Sequence, residues 1–300
     1  MLNIDPKDIS TKDLHGYLLG GVGPRPIALA STMDELGNPN LSPFSFFNVF
    51  SANPPICIFS PARRVRNNTT KHTLENVLST KEVVINSVTY DMVEQVSLAS
   101  TEYPNGVNEF RKAGLTPEQS DLVRPFRVKE SPFQMECKVI EVKALGEQGG
   151  AGNLVICEVV KLHIAERILD KNGKIDQHKI DLVGRLGGNW YDRASGDALF
   201  EVAKPLTTLG IGVDQIPPRI RNSYILSGND LGKLGNVENL PSDAEIESFS
   251  KNTEIANVLS NANDDEEQRE ELHKVAKRLL EKGQVQDAWK ALLLDKLNRH

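Results

Sequence analysis

The sequence contains no apolar run that approaches the roughly 18 residues of a membrane-spanning helix. Its first residues, Met1 to Pro6, lack the basic region and the apolar core of a signal peptide. The chain has 3 cysteines, and Cys57, Cys137 and Cys157 all lie among apolar, strand-like residues. An odd number in such surroundings predicts buried free thiols rather than a disulfide framework. Together these absences predict a soluble, cytoplasmic protein that has no membrane partner.

An excess of positive charge is also missing, because the formal net charge is -6 at pH 7. Nucleic acid is therefore not expected as the main partner, since binding its phosphates needs a basic face. Neither Gly21-Val-Gly23 nor Gly210-Ile-Gly212 continues into the third glycine of a dinucleotide fingerprint, and no Walker-type loop or Gly-x-Ser-x-Gly elbow is present. The 6 histidines are dispersed without zinc-like spacing, so no metal site is predicted.

The first two-thirds of the chain contains short apolar segments that are typical of β-strands. Strands are predicted over residues 26–32, 56–60, 82–88, 133–139 and 153–164. A helix is predicted over residues 69–79, with Thr69 or Thr70 as its N-cap. No strand-helix-strand alternation of the kind that builds a parallel sheet occurs. We therefore expect a mainly β fold, a closed or nearly closed antiparallel barrel with helices inserted at its ends.

Two of these strands are expected to form a hairpin. From Phe133 the residues alternate, with Phe133 and Met135 predicted on one face of the strand and Gln134 and Glu136 on the other. The glycine-rich turn at residues 149–152 then leads into the strand predicted over residues 153–164.

A basic loop follows the strand that ends at Ser60. Its cationic residues are Arg63, Arg64, Arg66 and Lys71. Thr73 lies in the first turn of the helix that follows, where amide donors, hydroxyls and a cation can converge on a phosphate. These residues are equally consistent with ordinary loop charge and with hydroxyls that cap the helix.

The segment Leu41-Ser-Pro-Phe-Ser45 offers a second kind of site. Pro43 removes a backbone donor, which places the segment at a sheet edge or bulge. Ser42, Ser45 and the free backbone groups could then pair with a heterocycle. The aromatic residues Phe44, Phe46 and Phe47 are predicted to belong to the core. The Asn48 side chain could form a hydrogen bond to a ligand or to the backbone of a turn.

A third cluster is the glycine-rich segment from Val183 to Tyr191. Glycines let a backbone approach closely, and the two aromatic residues that end the segment bring flat faces to a ligand or another subunit. Arg185 could bind a phosphate or a nicotinamide cofactor. A β-turn with two partly buried aromatic residues explains the pattern equally well.

The character of the chain changes near residue 205, and the predicted domains are residues 1–205 and 206–300. After a stretch rich in Gly, Asn and Pro, apolar residues recur at helical spacing, as in Val275, Leu279 and Leu280. The acidic run at residues 264–267 fits a solvated helix start better than a docking tail.

Several blocks resemble the flavin reductase-like, FMN-binding split-barrel family. They include the strand at residues 24–32, the segment at residues 37–48, and Lys71-His-Thr73, in which His72 replaces the acid of the family's Lys-Asp-Thr element. Further blocks lie at residues 106–110, 113–115, 130–132 and 184–188. The resemblance covers roughly residues 10 to 205, so the helical extension lies outside it.

The resemblance implies a homodimer with FMN near the subunit interface. The residues that it places around the flavin are Arg25, Ser31, Thr32, Ser42, Pro43, Phe44, Ser45 and Asn48, with Ser60, Lys71 and Thr73 at the phosphate. Arg185 and Tyr191 are looser assignments, nearer the nicotinamide or the partner subunit. No catalytic side chain is required, because the flavin itself performs the chemistry.

The implied activity is transfer of hydride from NADH or NADPH to the flavin and of electrons to free flavin, oxygen, iron or a partner oxygenase. Two alternatives stay open at this point. The first is an FMN-binding electron carrier that reacts slowly with NAD(P)H. The second is a protein-interaction module with a vestigial barrel and a working acidic extension.

Overall fold

Seven strands form one antiparallel sheet in the computed structural model, which describes residues 1–104 and 106–294. The strands are β1 Ala28–Met33, β2 Pro39–Phe44, β3 Phe47–Ala52, β4 Pro55–Phe59, β5 Glu82–Asn86, β8 Phe133–Ala144 and β9 Asn153–Ile164. Two short hairpins are made by β6 Pro117–Glu118 with β7 Arg127–Val128 and by β10 Val183–Arg185 with β11 Tyr191–Arg193. The first unit's helices are α1 Thr11–Gly21, α2 His72–Thr80, α3 Val93–Ala99, α4 Glu109–Ala113 and α5 Gln177–Ile180.

The order of the strands requires the sheet to curl into a barrel. The order is β2-β1-β5-β8-β9-β4-β3, so β2 and β3 lie at opposite edges. In a flat sheet those edges would be roughly 29 Å apart, at about 4.8 Å per strand. Only Ser45 and Phe46 connect the two strands, and such a connection spans about 10 Å. The predicted antiparallel split barrel is therefore confirmed.

Strand β1 is buried on both of its faces. Ala28 and Ala30 pack into a cluster that also contains Phe59 and the three cysteines, which are free and buried as predicted. Leu29, on the opposite face, packs with Phe110 of α4 in a second cluster. Because successive side chains of a strand point to opposite faces, β1 separates the barrel interior from the covering helices.

The hairpin of β8 and β9 is confirmed, with pairing from Phe133 opposite Ile164 to Ala144 opposite Asn153. Gln134 and Glu136, on the polar face of this alternation, are both buried. The loop before β7 covers Glu136, and its backbone amides donate to that carboxylate over 2.6–3.1 Å. The buried carboxylate thus receives enough hydrogen bonds to offset its lost hydration. Gln134 donates to the carbonyls of Val128 over 2.8 Å and Ser131 over 2.9 Å.

Two local predictions are wrong. The helix α2 begins at His72, and its N-cap, Lys71, makes no side-chain capping bond. The hydroxyls of Thr69 and Thr70 donate instead to Asn67 Oδ1 over 2.8 Å and to Glu75 Oε1 over 2.6 Å. Phe44 is buried, but Phe46 is 40% exposed because it lies in the turn between the barrel edges.

A second compact unit begins at Glu201. Its helices are α6 Pro218–Arg221, α7 Gly228–Gly235, α8 Asp243–Ser250, α9 Thr253–Asn261, α10 Asp265–Glu281 and α11 Val285–Leu293. The predicted helical periodicity is confirmed, because Val275, Leu280 and Leu292 are buried in one apolar cluster. Asp264 caps α10, as expected for an acidic helix start. None of the helices in the described parts of the chain has the length and apolarity needed to cross a bilayer.

Candidate functional site

The strand β2 and the turn after it line two adjoining cavities. The first, which we call the anion pocket, has Ser42, Arg64, Lys71, Thr73 and Glu102 among its lining residues. The second, which we call the ring cleft, has a volume of about 650 Å³ and includes Pro43, Phe44, Ser45, Arg185 and Tyr191 in its wall. Ser100 borders both cavities, so they follow one another along the strand. Eight of the thirteen residues predicted for the site are therefore brought together here.

The anion pocket combines an uncapped helix start with fixed cations. The first amides of a helix have no partner within the helix, and no side chain caps α2. Arg64 is held in place by Thr69 Oγ1 over 2.9 Å and by the carbonyl of Thr70. Lys71 has no carboxylate within 4 Å among the described residues. These are the donors that favour an anion.

Lys71 is a partly buried cation of this pocket. Its Nζ lies 5.0 Å from the centre of the Phe44 ring, a cation–π contact. Burial lowers the pKa of Lys71 from its ordinary value, the charge of Arg64 lowers it further, and Glu102 opposes the effect. A charged amine held in partly desolvated surroundings gains more from a bound anion than it would in water.

A buried polar network supports the floor of the anion pocket. Thr73 Oγ1 donates to Asn40 Oδ1 over 2.8 Å, and Thr32 Oγ1 donates to the same oxygen over 3.3 Å. Asn40 Nδ2 in turn donates to Glu109 Oε1 over 3.1 Å, and the Leu41 amide donates to Glu109 Oε2 over 3.1 Å. Because its hydroxyl proton is used in this network, Thr73 offers a ligand its backbone amide.

Glu109 and Asn40 have no role in the sequence prediction, although Glu109 falls within the block at residues 106–110. Burial raises the pKa of the Glu109 carboxyl, and the hydrogen bonds that it accepts oppose this. Its neighbours Asn108, Arg111 and Lys112 are polar, so the local sequence gives no sign that this carboxylate is buried. Its role becomes clear only when the partners on β2 are known.

The wall of the ring cleft carries two arginine–tyrosine stacks. The guanidinium of Arg185 lies 4.6 Å from the Tyr191 ring centre, and that of Arg193 lies 3.8 Å from the Tyr90 ring centre. Arg193 is also paired with the carboxylate of Asp181 over 2.7 Å. Arg185 binds backbone carbonyls, including that of Trp190 over 2.8 Å. The charge of Arg185 is therefore not neutralised by a carboxylate among the described residues.

Arg25 lies behind this wall rather than in it. Its guanidinium donates to the carbonyls of Leu19 over 2.7 Å and Leu186 over 2.9 Å, and more weakly to Ser45 Oγ over 3.4 Å. Burial lowers the pKa of Arg25, and the nearby charge of Arg185 lowers it further. Arg25 thus joins the first helix, the glycine-rich segment and the turn after β2.

The structure places the other predicted residues away from the lining of the two cavities. Ser31 and Thr32 are fully buried in β1, and the Ser31 hydroxyl has no hydrogen-bond partner among the described residues. Ser60 Oγ accepts from the Asn153 amide over 3.1 Å, at the start of β9. Asn48 is exposed and accepts from the neighbouring Val49 amide over 2.8 Å.

The barrel and the anion pocket beside its edge strand define a class, the split-barrel flavoproteins. The family model of the flavin reductase like domain matches residues 21–179, which is more than half of the chain. This protein therefore belongs to the flavin reductase-like family.

Relatives and solved structures agree with this membership. An uncharacterized protein of Aquifex aeolicus is 38% identical over 196 residues, covering 65% of this chain and 97% of its own. The nitrilotriacetate monooxygenase component B from Bacillus cereus is 31% identical with a TM-score of 0.63, covering 67% of this chain and 98% of its own. A protein from Shewanella frigidimarina described as a flavin reductase with a split barrel domain is 28% identical with a TM-score of 0.58, covering 68% and 100%.

Proposed function

We propose that the protein is an FMN-dependent oxidoreductase that takes electrons from NADH or NADPH and delivers them to free flavin, iron or a partner oxygenase. The observation that supports the proposal is the order in which the two cavities follow one another along β2. A cationic pocket at a helix start lies at one end, and a cleft walled by aromatic and arginine side chains lies at the other. This order matches the order of phosphate and ring in a flavin mononucleotide.

The residues of the anion pocket fit the phosphate. Arg64 and Lys71 supply the charge, and the amides at the start of α2 supply directed donors. Ser42, between the two cavities, can bind the hydroxyls of the connecting chain.

The ring cleft has the size and the chemistry for a planar heterocycle. Its volume of about 650 Å³ falls within the range of small-molecule sites. Pro43 to Ser45 lie at an edge of the sheet and leave backbone groups that can pair with ring atoms. When bound, the flavin would supply the hydride and electron transfer.

Arg185, in the wall of the cleft, favours negative charge on a bound ring, and Arg25 adds positive charge behind that wall. Neither has a carboxylate partner among the described residues, and each guanidinium is fixed by backbone carbonyls. Preorganised cations of this kind stabilise negative charge that develops on a bound ring. They do so without side-chain rearrangement.

We further propose a homodimer that uses the barrel edge next to the cleft. Strand β3 is the last in the sheet order, and its side chains Val49 and Phe50 are 60% and 65% exposed. Exposed apolar residues on an edge strand indicate a surface that another chain covers. The similarity to a monooxygenase component supports an oxygenase as one electron acceptor.

The visible spectrum of the purified protein, recorded before and after FMN addition and desalting, tests the cofactor. A retained flavin spectrum is expected, and a protein that stays colourless contradicts the proposal. Lys71→Ala should weaken retention, and full FMN affinity in that variant would remove the proposed phosphate site. Rapid bleaching by NADH or NADPH without oxygen is expected of a reductase, whereas slow bleaching indicates an electron carrier.

A further inference from the structure

A carboxylate of the protein, that of Glu102, lines the anion pocket and contacts its arginine. Glu102 Oε1 lies 3.1 Å from Arg64 Nε, and Glu102 Oε2 contacts the guanidinium of Arg66. Both arginines belong to the loop before α2, whereas Glu102 follows α3. The contact therefore bridges two separate segments that line the same pocket. Each carboxylate oxygen engages one arginine, as two oxygens of a phosphate could.

The ion pairs of Glu102 with Arg64 and Arg66 can break at little cost in stability. The side chains of Glu102 and Arg66 are 49% and 74% exposed, and ion pairs with such exposure contribute little to stability. Arg64 does not depend on the bridge, because Thr69 Oγ1 and the Thr70 carbonyl hold its guanidinium as well. Loss of Glu102 would thus leave the cations of the pocket in place.

We propose that Glu102 is an internal competitor for the flavin phosphate, which displaces it from Arg64 and Arg66 on binding. The inference rests on the proposed function, since it needs a phosphate in the anion pocket. Arg64 and Glu102 both line the pocket, and a dianionic phosphate group there can outcompete a single, half-exposed carboxylate for the guanidinium of Arg64, which also breaks the contact of Glu102 with Arg66. A flavin without phosphate has no group that could displace Glu102. The competition thus sets the affinity for FMN and leaves that for riboflavin unchanged.

The alternative role for Glu102 is an anchor that shapes the pocket. The two roles predict opposite effects of Glu102→Gln, which removes the charge and keeps the shape. A competitor that is neutralised leaves the pocket freer for phosphate, so FMN binds more tightly. An anchor that is lost lets the pocket loosen, so FMN binds less tightly.

The test measures dissociation constants of FMN and riboflavin from flavin fluorescence, for the full-length wild type, Glu102→Gln and Glu35→Gln. Glu35 lies in the exposed turn between β1 and β2, so its substitution makes the same charge change away from both cavities. We expect Glu102→Gln to bind FMN about 3- to 10-fold more tightly, with 5-fold equal to about 1 kcal/mol. Riboflavin affinity should not change, and Glu35→Gln should match the wild type for both ligands.

Three results would overturn the inference. They are unchanged or weaker FMN binding by Glu102→Gln, an equal gain for riboflavin, and an equal gain in Glu35→Gln. Wild type that binds FMN while Glu102→Gln shows no gain refutes the competitor and spares the proposed function. Wild type that binds no FMN refutes both.

Discussion

Replacement of Lys71 by methionine should change ligand affinity and stability in opposite directions. Its ammonium has no carboxylate partner among the described residues, and its Nζ lies 5.0 Å from the centre of the Phe44 ring. A hydrogen bond to a charged group contributes about 1.5–3 kcal/mol, so we expect FMN affinity to fall roughly 10- to 150-fold. Methionine keeps the apolar contact with Phe44 and removes the charge.

The stability of the flavin-free protein should rise in the same variant. Because the folded-state pKa of Lys71 lies below its ordinary value, the unfolded chain binds more protons between the two pKa values. The wild type therefore gains stability as pH rises through that window, and at neutral pH the buried charge opposes folding. Lys71→Met removes this cost, so its melting temperature at pH 7 should be higher and should respond less to alkaline pH.

The measurements are FMN titration by fluorescence and thermal unfolding of the flavin-free protein between pH 7 and pH 11. Lys129→Met is the matched control, because Lys129 is exposed and its side chain makes none of the described hydrogen bonds or ion pairs. Equal FMN affinity in Lys71→Met and Lys129→Met would refute the placement of the phosphate. A lower melting temperature in Lys71→Met would refute the argument from desolvation.

Three other substitutions have expected outcomes. Burial raises the pKa of the Glu136 carboxyl, but the hydrogen bonds that it accepts lower this pKa below its ordinary value. The stability that the ionised carboxylate contributes is therefore lost as pH falls through the folded-state pKa. Glu136→Gln should lower the free energy of unfolding by about 1–3 kcal/mol at pH 7, and its melting temperature should depend less on pH in the acid range. Trp289→Ala should destabilise the helical unit by about 3–5 kcal/mol, because the side chain is fully buried and donates to the Leu234 carbonyl over 3.0 Å, and faster hydrogen exchange in α10 and α11 would show this. Gly184→Ala should destabilise the cleft wall by about 1–3 kcal/mol in chemical denaturation, since a Cβ there would lie 2.8 Å from Cβ of the rigid Pro24 ring and would also displace the Asp192 carboxylate. An unchanged midpoint would contradict the packing.

Local patterns were sufficient to predict much of the barrel. Alternation and turn residues identified the hairpin of β8 and β9, because a strand's period and a turn's backbone angles depend on neighbouring residues. The cationic loop before α2 could be read in the same way, as a cluster of like residue types at a helix start. The predicted N-cap of α2 was wrong, because the hydroxyls of Thr69 and Thr70 donate to other side chains and Lys71 occupies the N-cap position.

The details of the site depended on contacts between distant segments. Glu109 supports β2 across 69 residues of sequence, and Glu102 reaches Arg66 across 36. Burial of Gln134 and Glu136 likewise required the segments that cover β8. Residue types and spacing therefore establish which chemistry the chain carries. Only folding decides which charges meet, because that depends on where the barrel closes and which loops cross its edges.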